Sequence, residues 1–297
     1  QDAPNFLHNF CTNDINRLKD GDSCEAFVTN AKGRILAHVF VIRSTDAVLL
    51  SAVATDVAHL ISHFDRYLFS EDVQIKDASN ETADLLVMGE KSIEQLDPLG
   101  IPAGTLKSGQ HAQADFSADG PLLVQRLDFI KRPDFLLTVQ KSDIVALWTR
   151  LTETGLSPCG TQAYHKLRID AGFPVYGHDL SEDNLAQEAG RTEQAISFTK
   201  GCYLGQEPIA RIDAVGHVNR QLQRIRIETG PGRGKLADGE RSLSDTDDKQ
   251  VGAITSLVAV PGEAAAVGLA LLRTGYLERG TQLTLGDTDA NLIATVY

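Results

Sequence analysis

Apolar residues along the first 70 positions change spacing several times, and each change marks an element. Phe6, Leu7, Phe10, Ile15 and Leu18 predict a short helix, a polar break at Thr12-Asn13-Asp14, and a second short helix. Cys24 to Thr29 and Arg34 to Arg43 alternate or run apolar, as strands do, and Asn30-Ala31-Lys32-Gly33 between them reads as a hairpin turn. Asp46 to Ala52 is a third strand. Val57, Leu60, Ile61, Phe64 and Leu68 lie on one face of an amphipathic helix over 55–68.

Farther on, Val73 to Lys76 and Ala83 to Met88 predict strands, and Ser92 to Leu96 a helix before Pro98. The piece from Leu99 to Gly120 is weakly patterned. Leu122 to Asp128 and Phe135 to Val139 are strands. Asp143 to Leu151 is a helix with Ser142 or Asp143 as its cap and Gly155 as its stop. Strand, helix, strand, then strand, strand, helix is a ferredoxin-like α+β order. Gln162 to Asp170 is helical and ends at Gly172 and Pro174. From Gln221 the pattern becomes β-like at Leu222–Glu228, Val251–Val260, Ala265–Leu272, Gln282–Leu285 and Leu292–Tyr297, which predicts a small closed β domain.

A chain of 297 residues is long for one core and implies two or three domains. No apolar run reaches the roughly 18 residues of a membrane span. The start has no basic region followed by an apolar one, so no secretory leader is expected. The net charge of −12 argues against broad binding to nucleic acid or anionic membrane, while leaving room for a small local basic site. Cys11, Cys24, Cys159 and Cys202 are far apart, with no C-x-x-C and no zinc spacing. They read as reduced, cytoplasmic thiols, and they offer no obvious ligand set for a metal or an iron–sulfur cluster of the chain's own. His59 and His63 stand at i, i+4 without a third ligand and read as surface residues. Gly230-Pro231-Gly232-Arg233-Gly234-Lys235 lacks the spacing of a phosphate loop and reads as a solvent loop.

One octet concentrates chemistry: Lys200-Gly201-Cys202-Tyr203-Leu204-Gly205-Gln206-Glu207. Gly201 and Gly205 suit a tight backbone path. Lys200, and a helix beginning near Leu204, would favour the thiolate of Cys202. Gln206 and Glu207 add hydrogen-bonding groups beside the sulfur. The plainer alternative is a glycine-lined turn around an ordinary buried cysteine.

The octet resembles the Lys-Gly-Cys-[aromatic]-x-Gly-Gln-Glu signature of the YgfZ family of folate-binding proteins, relatives of the glycine-cleavage T-protein (aminomethyltransferase). The likeness extends to Phe6–Asp14, to Leu167–Pro174, Tyr176–Leu180 and Glu188-Ala189-Gly190, and to Val251–Ser256. It implies an α+β, T-protein-like arrangement of three domains around a central channel. Residues 1–45 with 156–220 would form a discontinuous N-terminal folate-binding domain, 46–155 an inserted ferredoxin-like domain, and 221–297 a C-terminal β-barrel.

The same resemblance implies function. Cys202 and Lys200 would carry the chemistry. Glu188 would hold the pterin of tetrahydrofolate by accepting from its amino group and ring N–H, although Ala186 stands where the family often has proline. Tyr176, Asn13, Asp14, Gln206 and Glu207 would line the folate site, and Arg191 and Arg211 would meet the glutamate tail. The expected service is to iron–sulfur enzyme clients or their assembly proteins, in assembly or repair of [4Fe–4S] enzymes, tRNA-modifying ones among them. The alternatives are a folate-dependent aminomethyltransferase or related one-carbon transferase, and an interaction module that has lost folate. Against transfer chemistry, Cys202 stands where the T-protein loop has aspartate. The strand end reads Leu50-Ser51-Ala52, with Ser51 in place of asparagine, and Asp56 is either the catalytic carboxylate or a helix cap.

Overall fold

The computed structural model describes residues 1–118, 120–130, 132–229, 241–285 and 292–297. The glycine-rich stretch 230–235 lies outside them.

The chain opens with helix α1 (Ala3–His8), which carries proline in its first turn, where no N–H is needed. A 3-10 turn follows at Ile15–Arg17. Strands β1 (Ser23–Thr29) and β2 (Ile35–Arg43) form the expected hairpin, with Ser23 opposite Ile42. The Asn30 side chain closes their turn by accepting from the N–H groups of Lys32 and Arg34. Strand β3 (Val48–Ser51) pairs along β2, and helix α2 (Val57–Asp65) follows it. Phe6 and Phe10 near α1, Val39 and Val41 of β2, and Leu60 and Phe64 of α2 share one core. The first layer therefore continues past the expected boundary at 45/46, because β3 completes its sheet and α2 covers its face. Val73 to Lys76, expected as a strand, has no regular structure and pairs with no strand among the described residues; Val73 and Ile75 pack on the first core instead.

The second layer contains β4 (Thr82–Met88), α3 (Ser92–Leu96), β5 (His111–Ser117), β6 (Gly120–Arg126), β7 (Asp134–Gln140) and α4 (Ile144–Glu153). Its antiparallel sheet runs β4-β7-β6-β5, a meander with β4 added along β7. Strand β5 falls in the weakly patterned stretch, because its small Ala112 and Ala114 give little contrast with Gln113 and Asp115. Leu122, Val124, Phe135, Leu137, Leu147 and Leu151 form this layer's core.

Helices α5 (Thr161–Ala171), α6 (Thr192–Ala195) and α7 (Gln206–Val215) return the chain to the first layer and lead into β8 (Arg220–Glu228). Strands β9 (Ser242–Ser244), β10 (Gln250–Ala259), β11 (Ala265–Arg273), β12 (Gln282–Leu285) and β13 (Ile293–Val296) complete a closed barrel in the order β10-β11-β8-β13-β12-β9. Closure removes the free edges that short strands would otherwise expose.

An ion pair ties α5 to the barrel. Arg168 Nη1 donates to Asp179 Oδ2 at 2.7 Å, and both side chains are essentially without solvent contact. Arg168 Nη2 also donates to Ser256 and the Thr255 hydroxyl to Asp179 Oδ1, both on β10. The Val175 N–H supplies a further donor to the carboxylate. Phe40 of β2, Phe129 and Ile130 from the β6–β7 connection, and Phe173 after α5 pack together where the layers meet.

Candidate functional site

The cysteine octet is built into the first layer from both of its ends. Lys200 is buried, and its ammonium donates to the carbonyls of His8, Cys11 and Asn13 at 2.5, 2.7 and 3.0 Å. It also stands 4.6 Å from the centre of the Tyr203 ring. Burial pulls its pKa down to about 8. Four residues on, the Leu204 N–H donates to the Asn9 carbonyl at 2.8 Å, and the Leu204 carbonyl accepts from Thr29 Oγ1 at 2.8 Å. Gly205 follows with φ +86°, and a Cβ there would stand 2.4 Å from the Asn30 carbonyl oxygen. Only glycine fits this approach of the octet to the hairpin turn. Helix α7 starts at once, with Gly205 as its cap.

This arrangement reassigns Lys200. The sequence suggests a charge that favours the Cys202 thiolate, whereas the ammonium is spent on three carbonyls of residues 8–13 and acts as a clip. Cys202 itself is exposed. Cys11 is fully buried, and burial pushes its thiol up to about 12. Burial, with Cys11 beside it, also raises the half-buried Cys24 thiol. Cys159 is the other exposed thiol among the described residues. Gln206 is half-buried, and Glu207 and Arg211 are exposed on α7.

Beside the clip, the Asn13 amide donates to the carbonyls of Glu25 and Gln194 at 2.8 and 2.9 Å. Asp14 pairs with Arg17 at 3.0 Å and with His8 Nδ1 at 3.3 Å. Both residues brace this corner. Arg191 does not offer an open cation. Its guanidinium donates to both oxygens of Glu25, at 2.8 and 2.5 Å, and Glu25 also lies 2.8 Å from His38 Nε2. A carboxylate only accepts, so this ring nitrogen carries the proton. Burial alone would raise the Glu25 pKa, but the bonds from Arg191 and His38 overcome it and hold the group at about 2. Arg191 also lies 5.5 Å over the Phe173 ring, and Phe173 lies 5.1 Å from the ring of His38.

Glu188 is buried in the 3-10 turn Ala186–Ala189. Its Oε2 accepts from the Asn184 amide, the Leu185 N–H and Arg220 Nε, at 2.9, 3.3 and 3.1 Å. Among the described residues Oε1 accepts from Arg220, at 3.1 Å, and keeps a lone pair for one more donor. Tyr176 is half-buried and borders, with His38, Phe40, Val53, Ala54 and Phe173, a crevice of about 10 Å³. Burial, then Glu182 and Asp56, raises its phenol pKa. Asp56 accepts the His59 N–H at 2.9 Å and caps α2. His59 is exposed and lies 3.5 Å from Glu182, whereas His63 is buried among Phe10, Phe64 and Tyr67.

Sequence reading missed Glu25, His38 and Arg220, and gave Arg168 and Asp179 no partners. Glu25 and His38 sit inside otherwise apolar strands, and a charge on a buried strand was the available signal.

A model of the GCVT N-terminal domain matches residues 1–200. The chain is 29% identical to a putative chloroplastic transferase of Arabidopsis thaliana, over 99% of this chain and 67% of that protein. It is 27% identical to an aminomethyltransferase of Thermoanaerobacter pseudethanolicus, over 96% of this chain and 77% of that one. The crystal structure of glycine cleavage system aminomethyltransferase T from Bartonella henselae shares its fold, with a TM-score of 0.83 at 19% identity, over 100% of this chain and 80% of that one. The family model covers more than half of the sequence, and the chain therefore belongs to the GCVT family, that of the glycine-cleavage T-protein.

Proposed function

We propose that this chain binds tetrahydrofolate and serves iron–sulfur enzymes through Cys202, and that it is not a glycine-cleavage aminomethyltransferase. The observation that carries the reading is the octet. An exposed cysteine sits on a loop pinned by Lys200 at one end and by Leu204 and Gly205 at the other. A fold that spends a buried lysine on three carbonyls to shape one short loop presents that thiol in a fixed place. The donor set also suits a folate. The remaining lone pair of Glu188 Oε1 matches an N–H of the pterin, and the half-buried Tyr176 offers an aromatic edge. Asp56, the candidate for transfer chemistry, is engaged as the cap of α2.

Three measurements test the reading together. Calorimetric titration with tetrahydrofolate should show binding, weakened by roughly 1–3 kcal/mol in Glu188→Gln, where an acceptor becomes a donor. Aminomethylated lipoyl protein should not be turned over. In cells lacking this protein, [4Fe–4S] enzyme activity should be restored by the wild-type chain and not by Cys202→Ser. Turnover that disappears in Asp56→Asn would overturn the proposal in favour of aminomethyl transfer.

A further inference from the structure

Strand β3 forms one edge of the first sheet, whose order is β1-β2-β3. Natural edges are guarded by lysine, proline or inward-pointing charges, and Val48-Leu49-Leu50-Ser51 carries none of these. At the turn before it, the Ser44 N–H donates to the Ala47 carbonyl at 3.0 Å. Bonding alternates along an antiparallel ladder, so Val48 and Leu50 turn their N–H and C=O groups away from β2. Among the described residues these groups meet no partner.

Beyond this edge lies a cavity of about 410 Å³. Residues 48–52 line it from one side and residues 73–79 from another. A strand that met the cavity with one face would contribute every second residue. A consecutive run means that the cavity follows the strand's edge. Val48, Leu50, Val73 and Ile75 pack on the first core, so both walls stand on the same apolar floor. The backbone groups of Gln74, Ile75, Lys76 and Asp77 also lack partners among the described residues. Leu7, Leu60 and Phe64 bound the cavity from the first layer, and Asp84, Leu123 and Thr138 from the second. Tyr176, Glu188, Arg191 and Arg220 do not line it, so it is separate from the candidate folate site.

We propose that this cavity is a strand-addition site, in which a short extended segment of a partner protein, alternating apolar and basic residues, pairs with the outer edge of β3. The inference is independent of the folate reading. A rise of about 3.4 Å, a strand spacing of about 4.8 Å and a layer spacing of about 10 Å give a packed strand roughly 160 Å³ per residue. The cavity thus holds roughly two to three residues, the stretch over which Val48 and Leu50 present their groups. Main-chain hydrogen bonds supply the affinity and alternate side chains the selectivity. Apolar side chains of the segment enter the floor around Leu60. Those between them meet Asp84, whose Oδ1 accepts from the Thr138 hydroxyl and whose Oδ2 has no partner among the described residues. Lys76, the cation among the lining residues, is taken by Glu81 at 2.7 Å, and Asp77 adds a further carboxylate. The rim is therefore acidic, as is the chain at −12, and selects lysine or arginine.

The test uses the full-length chain and fluorescein-labelled acetyl-Val-Lys-Val-Lys-Val-amide. Fluorescence anisotropy should show saturable binding with a Kd below about 1 mM. Hydrogen–deuterium exchange should slow in residues 46–52 and 73–79 and not elsewhere. Proline in place of the central valine should weaken the peptide about tenfold, because it cannot donate to the edge. Leu50→Pro removes an N–H that faces the cavity and leaves the bonds to β2 intact, so it should weaken binding to a similar extent. Asp84→Asn keeps the edge whole and should weaken binding about threefold. Circular dichroism reports whether each variant is folded, and the peptide variants decide the matter on the wild-type chain. Absence of saturable binding overturns the proposal. So does equal affinity for the proline peptide, or slowed exchange confined to other segments. Residues 46–52 already protected in the free chain would assign the edge to residues 73–79 of the same chain or, if sedimentation shows a dimer, to a second copy. Either result overturns the proposal as well.

Discussion

The Glu25 cluster makes the most quantitative demand on the structure. Glu25→Gln preserves shape and removes one charge, leaving the Arg191 guanidinium buried without a counter-charge. Breaking a buried pair this way costs about 3–5 kcal/mol. The pKa gives a second route to the magnitude. Glu25 titrates at about 2 in the folded chain against 4.5 for the free group. At 1.36 kcal/mol per pKa unit, that gap is worth about 3 kcal/mol. The sign follows from the direction. A depressed carboxylate stabilises the fold above its unfolded pKa, and the contribution is lost as pH falls from about 4.5 toward 2. Urea unfolding followed by circular dichroism at pH 7, 5.5, 4.5 and 3.5 measures it. The stability gap between wild type and variant should be flat from pH 7 to 5.5. It should then shrink by about 1.4 kcal/mol at pH 3.5, as the unfolded wild-type Glu25 takes up its proton. A gap below about 1 kcal/mol at pH 7, or one still constant at pH 3.5, would refute the reasoning.

Two further substitutions probe the joints that hold the site. Gly205→Ala places a Cβ 2.4 Å from the Asn30 carbonyl at φ +86°; the left-handed conformation alone costs about 1–2 kcal/mol, so the melting temperature should fall by several degrees, and an unchanged one would show the octet is not seated on the hairpin as described. Asp179→Asn leaves Arg168 buried and unpaired between α5 and β10, which should cost about 3–5 kcal/mol in urea, with a substantial part regained in an Arg168→Met, Asp179→Leu double variant; a neutral Asp179→Asn would mean the pair does not bind these two elements.

Periodicity and turn chemistry were enough to place most elements, because each depends on residues close in sequence. The hairpin over Asn30 to Gly33 and the strand Gln282–Leu285 follow from local alternation and local turn residues. Strand β5 and the unpaired stretch Val73–Lys76 escaped, since whether an extended segment pairs depends on what lies beside it. For the same reason, β3 and α2 join the first layer through packing on β2 that no local signal announces.

The candidate site divides along the same line. Sequence alone singled out Cys202 with its glycines, and φ +86° at Gly205 gives one of them its physical cause. It also marked Lys200, Arg191 and Glu188 as charges worth attention. What each charge does was decided only in three dimensions. Lys200 reaches carbonyls 187 to 192 positions away, and Arg191 meets Glu25 across 166. A side chain's type fixes how many hydrogen bonds it can make. Which groups receive them is settled by the packing of layers, because a buried charge must find its partner wherever the fold has placed one.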